Sequence, residues 1–76
     1  MRLLTVEKVS DEKYLVGIKE LNFWFTDESQ EKALSRLAFR IRYLLSGKEH
    51  AKPAQKKVAE NALSEVRGVM SGRKNI

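Results

Sequence analysis

The chain predicts an α+β fold, an N-terminal antiparallel β-hairpin with room for a third short strand, packed against two α-helices, and three observations carry that expectation. Tyr14, Val16 and Ile18 alternate with other residues at the period of a half-buried strand. Between Ala33 and Leu45 the apolar residues recur instead every three or four positions, as on one face of a helix. A second helical stripe begins after Pro53, a residue suited to the first turn of a helix.

Residues 2–9 are rich in Leu, Thr and Val, and Ser10, Asp11, Glu12 and Lys13 then interrupt before alternation resumes at Tyr14. The interruption predicts a hairpin turn longer than the tight two-residue kind. After Ile18 the parity slips, because Leu21, Phe23 and Phe25 are odd-numbered. A uniform strand would send the two sets to opposite faces, so either a bulge or a turn is expected at Lys19 and Glu20, the turn leaving a separate strand at 21–25. Phe23 and Phe25 then face the core. Trp24 points to the other side, exposed unless a partner or a second subunit covers it.

The stretch Thr26–Gly47 reads as the first helix, with Ala33, Leu34, Leu37, Ala38, Ile41, Leu44 and Leu45 on its buried side. Thr26 or Asp27 is the expected cap, and Asp27, Glu28 and Glu31 complement the helix dipole. Gly47 is placed to end it in the left-handed conformation. The second helix runs from Pro53 to about Met70, with Val58, Ala59, Ala62, Leu63, Val66, Val69 and Met70 on one face and Gly72 closing it. Residues 1–72 therefore make one small domain, and 73–76 a basic C-terminal tail.

At 76 residues such a domain buries only about 60% of the surface its unfolded chain exposes. A core of this size supplies no more than about 3–5 kcal/mol, so a homodimer sealing an uncovered sheet face is an expected staple. The chain has no cysteine, which excludes disulfides and thiolate metal sites. Its N-terminal apolar run breaks at Thr5 and Glu7, short of a secretory signal, and no stretch is long enough to cross a bilayer. A soluble cytoplasmic protein without a membrane partner is expected. The net charge of +5 favours polyanionic partners.

Catalytic chemistry finds little material. His50 is the single histidine, so Cys-His pairs and multi-histidine metal sites are excluded. The four glycines are scattered singly and spell no phosphate-cradling loop. Asp11 with Glu12 and Asp27 with Glu28 are neighbours whose side chains point apart, better explained as a turn and a helix start. Asp27, Glu28 and Glu31 lack the glycine turn and spacing of a calcium loop. The expectation is a non-enzymatic protein with no catalytic residues, no metal and no cofactor.

The stronger signal lies on the outer side of the first helix, where Lys32, Arg36, Phe39, Arg40 and Tyr43 line up as a basic stripe holding two rings. Lys32 has Glu28 four residues before it, whereas Arg36, Arg40 and Arg42 have no acid three or four positions away. Each like-charged pair in the row Lys32, Arg36, Arg40 costs an isolated helix roughly 0.2–0.5 kcal/mol. A competing reading has each guanidinium reach Glu7, Glu20, Glu60 or Glu65 elsewhere in the fold. A second basic cluster, Lys48, Lys52, Lys56 and Lys57 with His50, sits at the start of helix two, where free amides favour an anion.

These features predict a small regulatory protein that contacts nucleic-acid phosphates, DNA or RNA, through Lys32, Arg36, Arg40, Arg42, Lys48, Lys52, Lys56 and Lys57, without sequence-specific reading. Phe39 and Tyr43 are available to stack on bases. The alternative is docking onto a protein, an acidic surface or a second copy, through Trp24, Phe39 and Tyr43, residue types enriched at interface centres.

Overall fold

A computed structural model describes residues 2–72. Three strands, β1 (Leu4–Ser10), β2 (Lys13–Ile18) and β3 (Phe23–Asp27), are followed by two helices, α1 (Gln30–Leu45) and α2 (Pro53–Met70). The strands form one antiparallel sheet in the order β1-β2-β3. The fold is thus α+β. The tail at 73–76 lies outside the described residues.

The first hairpin is tighter than the sequence predicts. Ser10 pairs with Lys13, which leaves only Asp11 and Glu12 in the turn. The register shifts between Lys8 and Ser10, so Val9 bulges out of the ladder and absorbs the residue that a longer loop would otherwise hold.

The slip of parity after Ile18 is a turn. Lys19–Leu21 form a single turn of 3-10 helix, and Asn22 follows at φ 56°, its N–H donating to the Lys19 carbonyl at 3.0 Å. Asparagine tolerates this left-handed conformation better than most residues. The turn sets Ile18 opposite Phe23 and Val16 opposite Phe25. Even positions of β2 and odd positions of β3 therefore share the face that both helices cover.

On that face Val16 and Ile18 are fully buried with Leu37, Ile41 and Val66. Helix α1 crosses β2 and β3, while α2 packs along α1 and reaches β1 and the 3-10 turn. The Leu3 N–H donates to Glu65 Oε2 at 2.8 Å, tying the start of the sheet to α2. The other face carries no helix. There Trp24 pairs across from Gly17, and its ring lies where a Cβ at Gly17 would stand.

The cap of α1 is neither Thr26 nor Asp27, because the apolar alternation of Phe23 and Phe25 carries both residues into β3. Ser29 caps instead, its side chain accepting the Lys32 N–H at 3.1 Å. Gly47 at φ 82° and Gly72 at φ 77° follow the helix ends in the left-handed region, as their positions predict. Pro53 opens α2, and the Lys52 N–H ahead of it donates to Gln55 Oε1 at 2.9 Å.

Candidate nucleic-acid interface

The outer side of α1 exposes the predicted stripe, but its arginines are not all free. Arg36 Nε lies 3.2 Å from Asp27 Oδ2. Arg40 makes a bidentate contact with Glu49, at 2.5 Å and 3.2 Å. Its guanidinium also stands 4.3 Å from the centre of the Phe23 ring and 5.7 Å from that of Tyr43. The expectation that these two arginines lack internal counter-ions is therefore overturned.

Asp27 lies nine positions before Arg36 in sequence and Glu49 nine after Arg40, beyond the i±4 reach of one helix. Both acids sit where the chain has left α1, Asp27 at the end of β3 and Glu49 in the connection that folds back from Ser46. Neither is among Glu7, Glu20, Glu60 and Glu65, the carboxylates the competing reading selected. The hydrogen bond from Arg40 holds the Glu49 carboxyl below the usual carboxylate range, and Glu49 raises the guanidinium in return, partial burial opposing both shifts.

Asp27, Glu49 and Phe23 are thus parts of this surface that the sequence reading missed. Assigning Asp27 to the strand would have shown it pointing with Phe23 and Phe25 toward α1. Nothing comparable marks Glu49.

The remaining predicted cations have no ion pair among the described residues: Lys32, Arg42, Lys48, Lys52, Lys56 and Lys57. Five of them lie between positions 42 and 57, a segment whose one acid is Glu49. The topology gathers these five at one end of the helix pair, since the connection runs from the end of α1 to the start of α2. Arg42 and Lys48 line a shallow depression there with Phe39, Tyr43 and Ser46. The link does return to Arg40, as a continuous basic surface would require, but it does so through an acid.

The aromatic set divides. Phe39 is 68% exposed and Tyr43 42%, and they adjoin each other on α1. Trp24, 42% exposed, lies on the helix-free face of the sheet, so the three do not form one patch. Among the described residues no group of three or more His, Cys, Asp or Glu side chains converges as a metal cage. No helix among them is long and apolar enough to cross a membrane. No protein-family model, curated protein or solved structure matches the chain.

Proposed function

We propose that this chain is a small non-enzymatic regulatory binding protein that grips a polyanion, foremost the phosphate backbone of nucleic acid, at the α1–α2 end of the molecule. One observation carries the reading: Arg42, Lys48, Lys52, Lys56 and Lys57 have no counter-ion among the described residues, and the acid between them, Glu49, is already bound to Arg40. Charge held there without an internal partner is available to displace the counter-ions of a phosphate backbone. Tyr43 and Phe39 border this end as stacking surfaces. Arg36 and Arg40 leave the predicted set and act as supports. A cysteine-free chain of this kind suits the reducing cytoplasm.

Titrating labelled single-stranded and duplex DNA and RNA in rising salt tests this. If all five cations engage phosphates, the slope of log K against log salt approaches roughly −4.5 on duplex and −3.5 on single strands. Replacing Lys52, Lys56 and Lys57 with Ala should reduce the slope by about 2–3, while Arg36→Ala, which leaves the Arg40–Glu49 pair in place, should leave it unchanged. No binding at low salt, or a flat salt response, would refute the reading. The exposure of Phe39 favours a second reading, docking onto a protein through an apolar contact at that ring, which predicts salt-tolerant binding that depends on Phe39.

A further inference from the structure

We infer that the free edge of β3 pairs with the β3 edge of a second copy, joining two three-stranded sheets into one continuous antiparallel sheet with Phe39 beside the two-fold axis. This goes beyond the polyanion reading: it is carried by the backbone edge of β3, and although Phe39 borders both surfaces and Arg42 serves in both, self-association is read separately from nucleic-acid binding.

The two edges of the sheet are treated differently by the sequence. β1 carries the bulge at Val9 and the exposed charges of Glu7 and Lys8, devices that blunt an edge against further pairing. β3 carries none. Its residues Phe23, Trp24, Phe25 and Thr26 pair with β2 without interruption and include no Pro, Lys or bulge. Beside this edge, on the helix side, a groove is lined by Phe25, Ser35, Arg36, Phe39 and Arg40. The most exposed large apolar side chain, Phe39, stands in that groove.

Charge selects a second copy as the occupant. Asp27 contacts Arg36 while Phe23 contacts Arg40, so α1 runs antiparallel to β3, its acidic start beside Asp27 and its basic end beside Phe23. Pairing two β3 strands antiparallel about Phe25 sets Phe23 opposite Asp27 and Trp24 opposite Thr26. The end of α1 bearing Arg40 and Arg42 then lies alongside the end of the second copy bearing Asp27, Glu28 and Glu31. Near the axis the arginines bring their own carboxylates, which removes the like-charge repulsion that two bare basic helices would suffer. Such an interface is isologous and closed, as a two-fold dimer requires.

Sedimentation equilibrium of the full chain over a wide concentration range tests this. The expected mass rises toward twice the 8.8 kDa of the chain. Phe39→Lys and Thr26→Lys both alter exposed positions and should leave the far-UV spectrum unchanged. Each should weaken self-association by about tenfold or more, the loss typical of a central anchor. Because Trp24 would lie across from Thr26 of the second copy, its emission should shift to the red on dilution. A monomer at every concentration, or a dimer whose midpoint either folded variant leaves unmoved, would overturn the inference.

Discussion

Of Gly17, Gly47 and Gly72, Gly17 is the one where the surrounding atoms leave no room for an added carbon. It lies buried one residue before the end of β2, the central strand, and the Trp24 ring crosses it on the helix-free face of the sheet. A methyl group there would overlap the indole Cε3 and Cδ2 atoms and the Phe23 carbonyl oxygen. The ring can swing outward, since it is already partly solvated, but the carbonyl belongs to a neighbouring strand held in register. Overpacking of this kind costs about 1–3 kcal/mol, and the entropy removed from the unfolded chain by Gly→Ala returns about 0.4–1. The net loss for Gly17→Ala is about 1–2 kcal/mol, against a total stability of only about 3–5. In a domain of this size that lowers the melting temperature by about 4–16 °C.

The decisive measurement is a double-mutant cycle with Trp24→Ala, followed by circular dichroism in urea so that the missing indole does not remove the signal. With the ring gone, the methyl group has one obstacle fewer, and the coupling between the two sites should be about 0.5–2 kcal/mol. A neutral Gly17→Ala would refute the packing argument outright. An undiminished cost in the Trp24→Ala background would assign the clash to the Phe23 carbonyl alone.

Two further outcomes follow from contacts described above. Ser29→Ala removes the acceptor for the Lys32 N–H and should cost about 1 kcal/mol in urea denaturation; an unchanged midpoint would mean that the cap does not act. The carboxyl of Glu49 is held low in the folded chain by Arg40, so the folded state binds fewer protons there than the unfolded state does. Its contribution is fully present above the ordinary carboxylate pKa and is lost as pH falls through the lowered value. The acid limb of the stability curve should therefore be shallower in Glu49→Gln than in the parent chain, and superimposable limbs would contradict the pairing.

The elements were legible wherever periodicity was strong. The apolar stripe from Ala33 to Leu44 is buried as its spacing requires, and the odd and even sets of β3 and β2 share a face because a four-residue turn separates them. Boundaries were harder, since Thr26, Asp27 and Ser29 are all good caps by residue type and only the continuation of the strand through Asp27 selects Ser29. The hairpin turn was misjudged because Ser10 and Lys13 look like loop residues, yet they pair, the bulge at Val9 adjusting the register. The ion pairs were invisible for a different reason. Partners within one helix can be counted from sequence, but Asp27 and Glu49 meet their arginines only because the chain doubles back at both ends of α1.

That distinction changes what a basic stripe means. An arginine row on a helix costs repulsion in isolation, and a fold can relieve it by supplying acids from outside the helix or by leaving the charge for a ligand. Here the first solution is used toward the middle of the helix, and the second is proposed for its end. Toward its middle, Arg36 is tethered to β3 and Arg40 is clasped by Glu49 with Phe23 and Tyr43 against its guanidinium, so those side chains join strand, helix and connection. Toward its end, Arg42 and the lysines that follow receive no such partner among the described residues. Exposed ion pairs contribute little to stability, so Arg36 and Arg40 matter chiefly for what they withhold: they keep charge off the surface around Phe39, where an apolar contact can form, and leave the field of the molecule concentrated at the α1–α2 end. A binding assay that scored every cation alike would miss this partition, whereas the salt slope, which counts only the charges that exchange counter-ions, measures it directly.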